Sequence, residues 1–216
     1  MLKYTSRAII LFSVLAIAIA HSPAYSATIT TYTSQSSWNA ATSGDQSVSV
    51  DGMAPSGSYT VYSSITAGGV QFIGLSGSTI GVMDTSAFSW ADFNSGDAVF
   101  TSGGAESIQI TLPAGVTAFS LEMFTSPPSV SITASVSGTQ VTVPTFSQPT
   151  QAFFGVTSDT PITTIDLTAQ PGASYAFFDD FEFGTAQVTS QAPEAGTFLL
   201  IGSGLLGLAL VRRRVR

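Results

Sequence analysis

Between Thr28 and about Thr185 the chain alternates apolar and polar residues with a period of two, and Gly, Pro, Ser and Asp interrupt the alternation at short intervals. Period two is the periodicity of a strand with one buried face. The segments fall at 28–33, 48–51, 59–64, 70–74, 79–83, 98–100, 107–112 and 118–124, and continue at 129–136, 139–146, 152–156, 162–168 and 176–183. A strand roughly every 8–12 residues predicts an antiparallel sandwich or barrel rather than βαβ units. Only Ser36 to Ala41 reads as a helical turn, with Ser36 as its N-cap. Roughly 155 residues can enclose a two-sheet core, and the chain has 15 Phe to help fill one.

Charge narrows the chemistry of this body. Charged residues are 9% of the chain against 44% apolar, and the only His is His21. No Lys or Arg lies between Arg7 and Arg212, whereas twelve of the thirteen acids lie between Asp45 and Glu182. Nucleic acid is excluded as a partner, because phosphates need Lys and Arg to displace their counterions. A Ser-His-Asp or Cys-His centre has no base, and a histidine-ligated metal has no ligand. The absence of Cys removes disulfides and thiolate sites. Carboxylate chemistry remains: oxygen-ligated cations such as calcium, or paired acids.

Both ends read as addresses. Residues 1–27 fit a signal peptide, with basic Lys3 and Arg7, an apolar run from Ala8 to Ala20, and a break at His21-Ser22-Pro23. Ala24 and Ser26 suit cleavage after Ser26. Residues 187–192 form a polar linker, followed by Pro193-Glu194-Ala195, an apolar run to Val211, and Arg212, Arg213 and Arg214. As a helix, 195–211 would be about 25 Å long against a bilayer core of about 30 Å, a short span that flanking arginines can extend. Those arginines would stay cytoplasmic and hold an inner-membrane-anchored precursor. Gly202-Ser203-Gly204-Leu205-Leu206-Gly207 matches a dinucleotide fingerprint but has no following acid, so its glycines are read as helix packing.

The ending resembles the PEP-CTERM sorting signal: a Pro-Glu-Pro-like motif, here with Ala195 at the second Pro, then an apolar helix and an Arg cluster. This resemblance implies export by a polysaccharide-producing Gram-negative bacterium and processing by an exosortase. The body (28–186) resembles the jelly-roll domain that recurs in such proteins and in carbohydrate-binding modules. The segments that carry this are 32–41, 67–72, 153–162 and 177–184. The expected architecture is an antiparallel jelly-roll-like β-sandwich between a signal helix and a C-terminal transmembrane helix.

Two places in the body could carry a ligand. Alternation in the closing strand puts Phe177, Asp179, Phe181 and Phe183 on one face. If that face is the core, Asp179 is a buried carboxylate without a cationic partner, which points to calcium held by Asp179 with Asp180 or main-chain carbonyls. The alternatives are an Asp accepting main-chain N–H bonds, or the opposite register with Phe178 inward. The second place is the loop from Asp84 to Asp97, which holds Asp92 and groups Phe88, Trp90, Phe93 and Asn94 in the manner of a sugar-gripping platform or of a plug for the sandwich end. Trp38, Tyr59 and Tyr62 are expected in the core or at its rim. The expected function is a non-catalytic cell-surface or extracellular-matrix protein; the alternatives are a carbohydrate-binding module using Trp90, Phe88 and Asn94, and a glycoside-active enzyme using paired acids.

Overall fold

The computed structural model describes residues 27–87, 93, 96–103, 106–125, 130–143, 151–171 and 175–187. Residues 1–26, most of the loop holding Phe88, Trp90, Asp92 and Asn94, and the linker and sorting segment from residue 188 lie outside them. Among the described residues no helix is long and apolar enough to cross a membrane.

Fourteen strands are described: β1 (Ile29–Tyr32), β2 (Thr42–Val48), β3 (Tyr59–Tyr62), β4 (Ile65–Ala67), β5 (Val70–Leu75), β6 (Thr79–Asp84), β7 (Asp97–Ser102), β8 (Ser107–Thr111), β9 (Ala118–Thr125), β10 (Ile132–Val136), β11 (Thr139–Val143), β12 (Ala152–Ser158), β13 (Thr164–Ala169) and β14 (Tyr175–Ala186). They form two antiparallel sheets. The larger runs β1-β12-β9-β14-β7-β6-β3, with β2 paired to β14 off that path; the smaller runs β11-β10-β13-β8-β5-β4. This is an all-β two-sheet sandwich. Its centre is sealed by Phe72, Ile108, Ile110, Ile165 and Leu167 from one sheet and Phe119, Leu121, Phe154, Phe178 and Phe181 from the other. Phe72 and Phe181 meet across the gap at 4.8 Å between ring centroids.

Two elements depart from the pattern reading. The segment expected at 48–51 is instead β2, whose sequence TSGDQSV buries only its first and last residues. Hydrogen bonding to β14 makes it a strand, so it carries no hydrophobic alternation. Strand β4 is three residues long and joins β5 through Gly68 and Gly69, both at positive φ, which gives the tight hairpin its right-handed twist. The short α-helix α1 (Gln35–Asn39) has Ser34 rather than Ser36 at its N-cap position, without a side-chain capping bond, and the two hydroxyls bond each other at 2.9 Å. It lays Trp38, fully buried, over Gly155, where a Cβ would stand 2.5 Å from the indole. The indole N–H donates to the Val156 carbonyl at 3.1 Å.

The closing strand carries a correction of register. Phe177 pairs with Phe124 and Asp179 with Glu122, but the next aligned pair is Glu182 with Ser120, so one extra residue bulges in β14. Asp180 takes a φ of 48° there, a left-handed conformation that Asp tolerates. The bulge reverses the alternation: Phe178, Phe181 and Phe183 face the sandwich core, and Phe177 and Asp179 face outward. Continuous alternation had placed all of Phe177, Asp179, Phe181 and Phe183 on one side.

Candidate functional site

The outer face of the larger sheet is unusually apolar at one end. Register places Tyr59 and Val61 of β3 beside Met83 and Gly81 of β6, then Phe100 and Ser102 of β7, then Phe177 and Tyr175 of β14. Five rings make a continuous row: Phe93–Phe124 at 5.0 Å, Phe124–Phe177 at 4.9 Å, Phe177–Phe100 at 6.4 Å and Phe100–Tyr59 at 5.8 Å, with Tyr175 5.9 Å from Phe177. These spacings lie within the range of favourable aromatic pairs. Phe100 reaches toward β3 only because β6 has Gly81, where a Cβ would stand 2.6 Å from the ring.

The row encloses a groove of about 310 Å³ between Tyr59, Val61, Met83, Phe100, Ser102, Tyr175 and Phe177. Its floor is buried, Phe177 being 2% exposed, but its walls are open: Tyr59 is 57% and Tyr175 42% exposed. Contiguous exposed apolar patches are the kind of surface at which ligands or partners dock. The loop carrying the sequence-predicted platform reaches this face, since its Phe93 is buried against Phe124. Phe88, Trp90 and Asn94 lie outside the described residues.

The second feature lies further along β14. Up to Phe178 this strand pairs with β7, and from Phe181 it pairs with β2, so the sheet forks at Asp179 and Asp180. The fork opens into a cavity of about 200 Å³ lined by Asp51, Asp97, Asp179, Asp180 and Glu182 together with Ser47, Val48, Ser49, Val50 and Phe181. Asp51 is pinned by the N–H of Asp97 at 2.9 Å and the hydroxyl of Ser49 at 2.8 Å. Asp97 accepts from the N–H of Ala54 at 2.8 Å. Asp179 differs: it is 8% exposed, and its Oδ2 has no hydrogen-bond partner.

Electrostatics follow from that placement. Burial pushes the Asp179 carboxyl up to about 8; the N–H of Asp180 partly opposes this, while the charges of Asp180, Asp51 and Glu122 add to it. Burial also raises Glu122, with Asp180 adding to it, and raises Glu182, with Asp45 and Asp180 adding. Among the described residues no group of three or more His, Cys, Asp or Glu side chains is arranged to hold a metal ion.

Of the acids on the Asp84–Asp97 loop, Asp84 and Asp97 face each other across β6 and β7, and Asp92 lies outside the described residues. Asp84 accepts from Gly57 N–H at 2.7 Å and Ser86 N–H at 2.9 Å. The Ser86 and Gly57 bonds hold it below the usual carboxylate range. It therefore fastens turns. Trp38 is core and Tyr62 rim, as expected, but Tyr59 is an open wall of the groove. Sequence reasoning missed Tyr175, and Asp51 as a neighbour of Asp179. The outward Tyr59–Val61 pair on one strand was the available signal for the groove, but it gains meaning only with the sheet order.

Residues 191–214 match the model of the PEP-CTERM protein-sorting motif. The chain thus carries that motif at its C-terminus, which implies export, exosortase processing and sorting to the cell surface. No curated protein matches the chain. Among solved structures, a variant of CBM29-2, a family 29 carbohydrate-binding module, is 11% identical, covers 70% of this chain and 99% of its own, and has a TM-score of 0.35. A second variant, complexed with mannohexaose, is 12% identical and covers 75% and 94% with a TM-score of 0.32. A further family 29 module is 11% identical and covers 80% and 98% with a TM-score of 0.32. At these identities and TM-scores the likeness carries no argument about ligand or site.

Proposed function

We propose that this chain is a non-catalytic, surface-sorted protein whose body holds an extracellular polysaccharide in the aromatic groove of its larger sheet. The observation that carries the reading is the pair of exposed tyrosines, Tyr59 and Tyr175, standing over a buried aromatic floor on a rigid sheet face. Pyranose rings present apolar C–H faces that pack on such walls, and hydroxyls that can bond the Ser102 and tyrosine hydroxyls. Strands fix the spacing, so little side-chain entropy is lost on binding. A body without Lys or Arg has no means of gripping anionic groups directly, which favours a neutral sugar in the groove.

In this reading the leader (1–27) is removed, the body (28–186) is exported, and the linker (187–192) ends at the sorting segment (193–216). Pro193, Glu194 and Ala195 form the recognition motif. The apolar span 195–211 and the stop at Arg212, Arg213 and Arg214 retain the precursor in the membrane until an exosortase acts. The jelly-roll-like architecture and a carbohydrate-binding role for Phe88, Trp90 and Asn94 belong to the same proposal. Affinity electrophoresis of the purified chain through gels containing neutral mannans, glucans or xylans tests it. Retardation by at least one polymer, lost in Tyr59→Ala and Tyr175→Ala, is expected. Unretarded wild type, or retardation that survives both substitutions, would overturn the groove as a glycan site.

A further inference from the structure

The groove leaves unexplained the fork in the sheet, where β14 passes from β7 to β2. Asp179 there is more than nine-tenths buried, lines the cavity and has an oxygen without a partner. Four further carboxylates, of Asp51, Asp97, Asp180 and Glu182, line the same space, and Glu122 stands opposite Asp179 on β9. Asp179 accepts a hydrogen bond from the N–H of Asp180, but its Oδ2 takes none, and a buried carboxylate oxygen left without a hydrogen bond calls for a counter-charge or a proton. The body has no Lys, Arg or His, so a counter-charge cannot come from its own side chains.

We infer that the fork binds a divalent cation of the calcium type, with Asp179 as its anchoring ligand. One proton would neutralise Asp179 and leave the other four carboxylates of the cavity facing one another. A doubly charged ion is attracted by all of them at once. The lining carboxylates do not complete a ligand set, so the ion draws its remaining oxygens from water and main-chain carbonyls, as calcium's flexible shell of about six to eight ligands permits. The volume suits this: about 200 Å³ takes an ion and several waters of roughly 30 Å³ each. Asp51 and Asp97 are already fixed by main-chain N–H groups, so they present charge without needing to be ordered first. The bulge at Asp180 supplies the device: the extra residue parts the strand's two neighbours and points Asp179 away from the sandwich core. An open, water-completed site of this kind belongs to the weak, extracellular class of calcium sites, which suits a chain carrying an export motif.

Thermal unfolding of the purified full chain in millimolar calcium and in chelator tests the site. Calcium should raise the wild-type midpoint by about 5–11 °C, the shift for a ligand near a hundred times its dissociation constant in a domain of this size. Asp179→Asn should lose that rise. Asp166→Asn, on the outer face of the other sheet, should keep it. No rise in wild type, or an equal rise in Asp179→Asn, would overturn the inference. Should Asp179→Asn not fold, titration calorimetry with calcium alone on wild type and Asp51→Asn replaces it. One saturable site weakened at least several-fold in the variant is the expected result, and absent or unchanged binding would refute it. Since this readout is independent of glycan retardation, either proposal can fail while the other stands.

Discussion

The two sheets present opposite kinds of surface to solvent. On the six-stranded sheet the outward row is polar apart from the half-buried Ile73 and Leu75 of β5: it runs Thr133, Ser135, Asp166, Thr168, Gln109, Gln71 and Thr66, and Gln109 donates to Asp166 at 2.9 Å. That is the polar-out alternation of an antiparallel sheet with one solvated face. The eight-stranded sheet has a second apolar cluster on its outward face, of Met83, Phe93, Ala98, Phe100, Phe124 and Phe177, with a forked acidic cavity beside it. A sandwich needs one buried face per sheet. The second apolar face adds little to closing the core, and leaving Tyr59, Val61 and Tyr175 open costs solubility. The contrast therefore separates what folds the body from what the body presents.

The largest expected effect tests whether the outer cluster is packed as a core or merely exposed. Phe177 is 2% exposed and lies between Phe124, Phe100 and Tyr175, so Phe177→Ala should cost about 3–5 kcal/mol in denaturant unfolding. Gln109→Ala, on the other outer face, removes one half-buried hydrogen bond and should cost about 0.5–1.5 kcal/mol. Equal losses would erase the distinction between the two faces.

A smaller effect separates the fork from the rest of the surface. With cation chelated, the folded-state value of about 8 for Asp179 lies above its ordinary 3.8, so between these limits the folded chain holds a proton that the unfolded chain has released. Stability from this group is complete at the acid end and falls as pH rises through the window, by at most about 1.4 kcal/mol per pH unit. The groups facing it, Asp51, Asp97, Asp180, Glu122 and Glu182, are all acidic, so none opposes the trend by charge pairing. Urea midpoints measured from pH 4 to 8 in chelator should decline, and Asp179→Asn should flatten the decline. A wild-type midpoint that rises over this range would show that Asp179 does not carry a buried proton.

Legibility in the sequence tracked where alternation was uninterrupted. Strands β8, β9, β10 and β13 follow from their apolar periods, because each has one face in the core and few exceptions. β2 was hidden because its pairing is set by β14, not by its own residues. The closing strand was legible as a strand but not in register, since the bulge at Asp180 is set by the strands on either side. That one residue decided which way Asp179 points. Isolation of Asp179 from any cation was readable from composition, whereas its four carboxylate neighbours come together only when β2, β7 and β14 meet. Tyr59 looked like a rim residue, because a strand's outward face cannot be called open or covered until its neighbours are known.

The smallest stability effect is the most discriminating for the groove. Tyr59 is 57% exposed and meets the aromatic row only at the edge of Phe100. Substitutions at such positions shift stability by no more than about 0.5 kcal/mol. Tyr59→Ala should therefore leave the unfolding midpoint nearly unchanged while removing glycan retardation. A loss of several kcal/mol would mean that Tyr59 closes the outer cluster as a lid, and the aromatic face would then be a second core rather than a presented surface. A binding wall can be lost without loosening the protein, because the floor of Phe100 and Phe177 and the glycine at position 81 hold the groove's shape without it.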